Sequence, residues 1–332
     1  MLAFPGSRRP EVAGPARPAA EPAQVPTQVV VRARAKVNLG LEVLGRRGDG
    51  YHELSTLLCA IDLWDRVTLR RAPAGITLAC DGSEVPTTEE NLAWRAASLV
   101  RQEVSPGGGV GIHLRKAIPV AAGLGGGSAD AAAVLVGLDR LWGRRIGVAR
   151  LRRLAIALGM DVPFFLGQGP ALATGRGEIL RRVPVRRTIP LVVVNPGFPL
   201  ATREVYARLG PSDLSSGDAV RALRAALGQG AAAVAARILN GLERAVTSIW
   251  PGLAQVKAAL VEAGCLGAVM SGSGPTVVGI ASSEATARQA AARLRTRPWR
   301  VFVARTVSGP ALTISGDGAG AGGRAAWGVA KR

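Results

Sequence analysis

Several residue types are scarce in this chain, and each scarcity excludes a class of protein. The three cysteines are too few and too unevenly spaced for a disulfide framework or a zinc site, and they suit a reducing compartment. No run of about 18 uncharged apolar residues occurs, so no membrane span is expected. The N-terminal stretch has no continuous apolar core to serve as a signal peptide. We therefore expect a cytoplasmic protein with no membrane partner.

Lysine and aromatic residues are also scarce, although the net charge is +19. Only four of the 42 basic residues are lysines, and arginine excess beside abundant alanine and glycine is typical of a GC-rich coding bias. A basic surface attracts anionic ligands, nucleic acid included. However, aromatic residues make up only 4%, and no arginine–aromatic interleaving or recognised nucleic-acid motif is present. The charge is compatible with an anionic substrate, and we predict no nucleic-acid partner.

The chain is long enough for one large or two modest domains. Residues 1–28 are rich in proline and alanine, which predicts a disordered extension. Residues 309–332 are glycine-rich and are predicted to form a flexible tail. We predict one domain over residues 29–186 and a second over residues 187–308. The second domain begins with an apolar run that is typical of a buried strand.

Periodicity predicts the elements around the motifs. Residues 29–44 alternate and predict two successive strands or one long bent strand, and residues 64–69 predict a further short strand. Thr87 and Glu90 have the spacing of a capping box, which predicts a helix starting at Thr87. Residues 231–249 have the spacing of one amphipathic helix, interrupted by a polar group to which we assign no role.

The chain is organised around PVAAGLGGGSADAAAVL at residues 119–135, which has four glycines in five positions. Glycine allows positive φ and brings bare backbone close to a ligand. Ser128 is predicted to be the N-cap of the following helix, and Asp130 suits its positive first turn. Such a loop presents free N–H groups to an anion, most often a phosphate. A tight turn between core elements is the alternative, which four glycines disfavour.

The loop fits neither common nucleotide fingerprint. It lacks the Gly-Lys-Ser/Thr of a P-loop, and no βαβ unit with an acidic residue about 20 positions on supports a dinucleotide site. Three other motifs accompany it: Ala35-Lys-Val-Asn-Leu, a Gly-Asp-Gly turn before Tyr51-His52, and Gly159-Met-Asp-Val-Pro-Phe-Phe. A second glycine loop, Ser271-Gly-Ser-Gly, joins two predicted strands near the end of the chain.

These motifs, in this order, resemble the GHMP kinases. The resemblance implies an α+β fold of two domains, with an N-terminal α/β unit like a ribosomal-protein domain, a C-terminal ferredoxin-like unit and the active site between them. It implies ATP as phosphate donor and Mg²⁺ as cofactor. The Lys-Val-Asn-Leu and Tyr-His motifs resemble those of one branch of this family. The resemblance implies an alcohol substrate with an erythritol backbone that carries a cytidine diphosphate, and a role in the synthesis of isoprenoid precursors.

The resemblance also implies site residues. Lys36 and Asp161 would be catalytic, and Ser128 would touch Mg²⁺ or phosphate. The residues implied in ATP binding are Pro119, Val120, Ala121, Ala122, Gly123, Leu124, Gly125, Gly126, Gly127, Ser128, Ala129 and Asn91. Those implied in substrate binding are Asn38, Tyr51, His52, Thr202, Tyr206, Ser271 and Gly272.

Residue chemistry alone leaves alternatives open. Lys36 could be an edge residue, Asp161 a turn or capping residue, and Tyr206 a core aromatic on a helix. A mevalonate-type or homoserine-type kinase would not need Tyr51 and His52. An RNA-binding protein is the alternative from another class, because the N-terminal fold of these kinases also occurs in a ribosomal protein. The oligomer is expected to be a monomer or a homodimer.

Overall fold

The computed structural model describes residues 26–82, 85–104, 107–143 and 146–316. Residues 1–25 and 317–332, which hold most of the predicted extension and tail, lie outside the described residues. The strands are β1 (Gln28–Arg46), β2 (His52–Ala72), β3 (Ile76–Asp81), β4 (Gly109–Arg115), β5 (Ala171–Gly175), β6 (Ile179–Arg182), β7 (Pro190–Asn195), β8 (Leu239–Asn240), β9 (Gly267–Met270), β10 (Val277–Ile280), β11 (Arg300–Arg305) and β12 (Leu312–Gly316).

The helices are α1 (Leu92–Val104), α2 (Gly126–Leu141), α3 (Val148–Leu158), α4 (Val162–Phe165), α5 (Thr202–Ala207), α6 (Asp218–Ala226), α7 (Ala231–Ala235), α8 (Glu243–Ile249), α9 (Gly252–Glu262) and α10 (Glu284–Leu294). Among the described residues, none of these helices is long and apolar enough to cross a bilayer. Helices and strands are mixed in both halves of the chain, and the predicted α+β class is confirmed.

The first sheet has the strand order β12-β1-β2-β4-β3, and β5 and β8 pair with its central strands. Along the start of β1, Val29, Val31 and Ala33 are buried while Arg32 is exposed. Helices α1, α2 and α3 pack on the buried face, where their alanine and leucine side chains complete one core cluster. The hydrophobic alternation of β1 therefore gives the sheet one covered face and one open face at this end.

The second sheet has the order β11-β7-β10-β9 with antiparallel pairing throughout. In chain order these strands, with α9 and α10 between them, form the βαββαβ pattern of a ferredoxin-like unit. Both faces of β7 are covered: Val192 and Val194 pack with the helices, while Leu191 and Val193 pack toward the first sheet. The continuous apolar run of β7 follows from its position between two layers.

The structure corrects three predictions of secondary structure. The predicted short strand at residues 64–69 is part of one long strand, β2, which has 21 residues. The predicted helix over residues 231–249 is broken into α7, β8 and α8, because Gly40 and Leu41 of β1 pair with β8. Residues 309–332 are not all a loose tail, since β12 pairs with residues 29–33 of β1.

Two predicted helix caps are also wrong. Helix α1 starts at Leu92 rather than Thr87, because the Asn91 side chain accepts a hydrogen bond from Ala93 N at 2.9 Å and caps the helix there. Helix α2 starts at Gly126 with Gly125 as its N-cap, so Ser128 lies within the first turn. Glycine adopts the left-handed backbone at this cap without strain, which moves the helix start ahead of the serine.

Candidate active site

A cavity of about 1290 Å³ lies where the two domains meet. Its wall includes most of the residues that the motifs pointed to: Lys36, Asn38, Tyr51, His52, Asn91, Pro119, Val120, Ala121, Ala122, Gly123, Gly125, Gly126, Gly127, Ser128, Asp161, Thr202, Tyr206 and Gly272. The Gly-Asp-Gly turn, the two glycine loops and the start of α5 therefore surround one space, although they are far apart in the chain.

Three predicted site residues do not line the cavity. Leu124 and Ala129 are buried in the hydrophobic core, Leu124 between the two sheets and Ala129 on the core-facing side of α2. Ser271 is fully buried, and its hydroxyl accepts a hydrogen bond from Asn38 N at 3.2 Å and donates one to Gly123 O at 3.0 Å. The side chains of these three residues lie behind the wall, so a ligand contact at these positions would be made by the backbone, and their binding roles stay predictions.

The two glycine loops are packed against each other. Gly123 has φ +75°, and a Cβ there would lie 2.3 Å from Ser271 O. Gly125 has φ +68°, and a Cβ there would lie 3.0 Å from Lys36 Cγ. Both positions require glycine because of the backbone conformation and because of close approach within the protein. The sequence analysis had explained these glycines by positive φ and by the approach of a ligand, and the structure adds the close approach of the second loop and of Lys36.

Lys36 and Asp161 form an ion pair at the cavity wall. Lys36 Nζ lies 3.3 Å from Asp161 Oδ2 and donates a hydrogen bond to Asn38 Oδ1 at 2.8 Å. The Lys36 side chain is 5% exposed, whereas that of Asp161 is 40% exposed. The lysine is neither an edge residue nor a surface cation, and its charge is held beneath a carboxylate that faces the cavity. Asp161 is at the N-cap position of α4, but its side chain makes no hydrogen bond to that helix.

A short hydrogen-bonded chain orients Asn38. Its Nδ2 donates to Thr56 Oγ1 at 2.9 Å, and the Thr56 hydroxyl donates to Gly40 O at 2.7 Å. With Nδ2 used in this way, Oδ1 is turned toward the Lys36 ammonium. The neighbouring strands β1 and β2 thus fix the amide that positions the buried cation.

Aromatic rings gather at another part of the cavity. The rings of His52 and Tyr206 have centroids 5.2 Å apart, and Tyr51 beside them is 53% exposed. The Arg176 guanidinium lies 5.0 Å from the centroid of the Tyr51 ring. Tyr206 is half-buried: its ring packs against the core cluster of the second sheet and also lines the cavity beside His52. The group offers flat surfaces on which a planar ring can stack.

Burial and neighbouring charges shift two pKa values in this group. Burial, with the charge of Arg46, lowers the pKa of His52 below its usual value, so the imidazole is neutral near pH 7. Burial, with the charge of Asp161, raises the pKa of Tyr206 well above 10, so its hydroxyl stays protonated. Both rings are therefore neutral hydrogen-bonding groups at physiological pH.

The sequence analysis missed a buried charge cluster behind the first glycine loop. Lys116 Nζ lies 2.5 Å from Asp65 Oδ2 and 2.6 Å from Asp130 Oδ2, and all three side chains are at most 4% exposed. Asp65 also accepts hydrogen bonds from Ala117 N and Ile118 N. Asp130, assigned to the helix dipole from sequence, instead joins α2 to β2 through this lysine. Neither Asp65 nor Lys116 stands in a motif that would have indicated it.

The polar group at residues 240–243, to which the sequence analysis assigned no role, supports the second glycine loop. Asn240 Nδ2 donates to Met270 O and to Gly272 O, both at 2.8 Å. Glu243 accepts a hydrogen bond from Met270 N at 2.8 Å and pairs with Lys257. The interruption of the predicted long helix is what brings Asn240 to this loop. A second link, 2.8 Å between Thr202 Oγ1 and Ser273 Oγ, joins the loop to α5.

No preformed metal cage is present in the described part of the chain, where no group of three or more His, Cys, Asp or Glu side chains has a suitable arrangement. The cavity does offer the Ser128 hydroxyl and the backbone amides at the start of α2. The Ser128 hydroxyl oxygen suits a hard cation that keeps its waters and arrives bound to phosphate oxygens, and the N–H groups suit the phosphates themselves.

Comparison with known proteins agrees with this geometry. The sequence profile of the GHMP kinases N terminal domain matches residues 91–169, and that of the GHMP kinases C terminal domain matches residues 219–300. A homoserine kinase structure from Cytophaga hutchinsonii has a TM-score of 0.72 at 20% identity, covering 90% of this chain and all of that one. At that identity the match shows the shared fold.

More similar relatives have a narrower name. A 4-diphosphocytidyl-2-C-methyl-D-erythritol kinase from Pelotomaculum thermopropionicum is 47% identical over 84% of this chain and 98% of its own. The namesake from Syntrophomonas wolfei is 41% identical over 83% of this chain and 97% of its own. A crystal structure of 4-(cytidine 5'-diphospho)-2C-methyl-D-erythritol kinase has a TM-score of 0.74 at 39% identity, covering 83% of this chain and 98% of that one. The chain belongs to the 4-diphosphocytidyl-2-C-methyl-D-erythritol kinase family of the GHMP kinases.

Proposed function

We propose that the chain transfers the γ-phosphate of ATP to the 2-hydroxyl of 4-diphosphocytidyl-2-C-methyl-D-erythritol, in the non-mevalonate route to isoprenoid precursors. One observation carries the proposal: a single cavity contains a glycine cradle, the Lys36–Asp161 pair and a cluster of stacking rings. A phosphoryl transfer to a cytidylyl alcohol needs these three parts in one place. The names of the relatives agree with this substrate.

The glycine cradle is proposed to bind the ATP phosphates. Backbone amides at residues 125–128 open the long helix α2, whose positive end faces the cavity. Asn91 and Pro119 line the same side and would lie beside the nucleoside. The amides are pre-arranged by packing against the second loop, so ATP binding would not have to order them.

Lys36 and Asp161 are proposed to be the catalytic pair. The substrate hydroxyl oxygen attacks the γ-phosphorus, the bond to the β-phosphate oxygen breaks, and ADP leaves. The hydroxyl proton passes to the Asp161 carboxylate, which is the exposed member of the pair. Lys36, held by Asn38, keeps that carboxylate oriented and offsets negative charge on the transferring group.

Mg²⁺ is proposed as the cofactor, held by the Ser128 hydroxyl together with ATP oxygens and water. Ser128 lies on the cavity wall in the first turn of α2, which is where phosphates would be bound. When bound, the cation would neutralise charge on the β- and γ-phosphates.

The ring cluster is proposed to bind the cytidine end. Tyr51 and Tyr206 would stack on the cytosine, and the neutral His52 would hydrogen-bond to its edge. Thr202, Gly272 and Asn38 line the same cavity and are proposed to contact the rest of the substrate. Ser271 would act from behind the wall, by holding Asn38 and Gly123. We further propose that the enzyme is cytoplasmic and works as a monomer or homodimer.

The decisive test is a comparison of alcohol substrates. The purified full chain, with ATP and Mg²⁺, is expected to release ADP and form a phosphorylated product with 4-diphosphocytidyl-2-C-methyl-D-erythritol. Mevalonate and homoserine, which are alcohol substrates of kinases with this fold, serve as controls because they lack the cytidine. Equal turnover of either control would contradict the proposed substrate, and ADP release that is independent of any alcohol would contradict the proposed transfer.

A further inference from the structure

The open face of the first sheet carries arginines on three neighbouring strands. Arg32 on β1 is opposite Arg66 on β2, and Arg66 is opposite Arg115 on β4. All three side chains are exposed. Because the strands lie about 4.7–4.9 Å apart, the three guanidinium groups form a short line across the sheet. We call these three residues the arginine row.

Two further features lie next to the arginine row: another arginine beside a small depression, and a tryptophan. Arg70, also exposed, lies on the same face of β2 and borders a depression of about 210 Å³ with His113 and Thr68. Trp64 lies beside the row, with the guanidinium of Arg32 4.8 Å and that of Arg66 5.9 Å from its ring centroid. The contacts with Trp64 hold two of the three arginines against the sheet.

Sheet stability does not explain the arginine row. Like charges directly opposite one another on adjacent strands are destabilising. Asp81 is opposite Arg115 on β3, but its carboxylate is bonded to His113 Nε2 at 3.0 Å. In the part of the chain that the structure describes, none of the three arginines forms an ion pair with a carboxylate. Three uncompensated cations in register therefore suit an anion from outside the protein.

The surface fits a phosphate chain better than a protein. Protein interfaces have an apolar centre that is depleted in charge, whereas nucleic-acid interfaces are polar and strongly positive. The large exposed apolar side chains of the described residues lie elsewhere: Tyr51, Val120, Val148, Ile179, Leu214, Val261, Leu266 and Val303. Arginine binds phosphate with paired hydrogen bonds, and its flat guanidinium can stack on a base.

In contrast to the expectation from composition, we propose that the arginine row binds the backbone of a single-stranded nucleic acid, separately from the proposed kinase activity. A flat sheet face has no helix or ribbon that could enter a duplex groove, which favours a single strand. None of the three arginines lines the kinase cavity. The arginine–aromatic cluster that the linear sequence lacked is produced here by strand pairing, which joins Arg32 to Trp64 and Arg66.

Binding of a labelled single-stranded RNA to the full chain tests the proposal by fluorescence anisotropy. The test variant is Arg32→Ser/Arg66→Ser/Arg115→Ser. The matched control is Arg153→Ser/Arg237→Ser/Arg295→Ser, which removes the same charge from exposed positions on other elements. The row variant is expected to lose at least tenfold in affinity. Its slope of log K against log salt should be shallower by about 2, while the control keeps the wild-type affinity and slope.

Several results would overturn the proposal. Equal losses in the row and control variants would mean that only net charge matters. Equal or tighter binding to vesicles of anionic lipid, or to polyglutamate, would mean that a nucleic-acid backbone is not the preferred ligand. No binding at low salt would exclude the site altogether. Kinase turnover and unfolding temperature report on folding. If the triple variant is unfolded, Arg66→Ser alone is measured against Arg237→Ser; it must lose affinity and have a salt slope shallower by about 0.7 while the control keeps both, and equal behaviour of the two overturns the proposal.

Discussion

At the scale of the residue, the unequal exposure of Lys36 and Asp161 decides what each can do. The lysine side chain is 5% exposed and the aspartate 40%. A buried ammonium that also donates to Asn38 cannot easily leave its position, because breaking the contact would strand a charge away from water. The carboxylate shares that ammonium yet keeps access to the cavity, as a group that contacts a substrate hydroxyl must.

Asp161→Asn tests the carboxylate. The substitution keeps the shape but removes the charge and the proton acceptor, so kcat is expected to fall about 10²–10⁴-fold. KM for ATP should change little, because Asp161 lies with Lys36 and Tyr206 and not in the glycine cradle. Steady-state kinetics of the folded variant give both values. An unchanged kcat would refute the catalytic assignment.

Tyr51→Ala tests the stacking role of the exposed ring. We expect KM for the cytidylyl substrate to rise about tenfold or more, since base–aromatic stacking is worth about 1–3 kcal/mol. KM for ATP should stay near its wild-type value, because Tyr51 is grouped with His52 and Arg176. Tyr51→Phe is the matched control and should retain most of the affinity. Equal rises in both KM values for the alanine variant would count against stacking.

At the scale of the element, the two glycine loops behave as one unit. Ser271 donates to Gly123 O, and Asn240 holds the second loop through the carbonyls of Met270 and Gly272. Because each loop is the packing surface of the other, the amides of the first loop are positioned by residues from the second domain. The proposed phosphate cradle is therefore a product of domain contact and not of its local sequence alone.

Gly123→Ala tests this packing. Its Cβ would lie 2.3 Å from Ser271 O, so the loops must separate, and we expect a lower unfolding temperature together with a loss of kinase activity. Gly75→Ala is the control, because Gly75 has a similar φ of +71° but open space around it. The control should show only the strain of a left-handed alanine, about 1–2 kcal/mol. Equal destabilisation of the two variants would argue against the loop contact.

At the scale of the whole molecule, the buried cluster of Asp65, Lys116 and Asp130 joins helix α2, which begins at the first glycine loop, to strand β2 of the first sheet. Two carboxylates share one ammonium, so one negative charge is left over, and Asp130 Oδ1 has no hydrogen-bond partner. Burial, together with the charge of Asp65 and against that of Lys116, raises the pKa of Asp130 to about 7. In the unfolded chain an aspartate has a pKa of about 3.9.

This difference predicts the pH dependence of stability. Between about pH 4 and pH 7 the folded state holds a proton on Asp130 that the unfolded state has lost, so the free energy of unfolding falls as pH rises through this window. Asp130→Asn has no such titration. Its stability relative to wild type should therefore improve from about pH 5 to about pH 8, as measured by urea unfolding. Glu262→Gln, at an exposed position of α9, is the control. A difference in stability between Asp130→Asn and wild type that stays constant with pH would contradict the assignment.

Local patterns predicted many elements well. The alternation of residues 29–44 predicted two successive strands or one long bent strand, and the structure has the second, with register shifts after Arg34, Asn38 and Val43 of β1. The second glycine loop and the buried strand β7 follow from turn residues and apolar runs that act over a few positions. The failures were of another kind: Asn91 outcompeted Thr87 as a cap, and β8 formed because β1 offered it a pairing edge.

The amino-acid sequence by itself determined the chemistry available to this protein: a glycine-rich helix start, a lysine and an aspartate in separate motifs, and a Tyr-His pair after a turn. Only the tertiary structure decided which of these groups meet. Strand register put Arg32, Arg66 and Arg115 in line, and packing within the first domain joined Lys36 to Asp161. The physical reason is that contacts between distant residues depend on pairing and packing of whole elements, which no local pattern encodes.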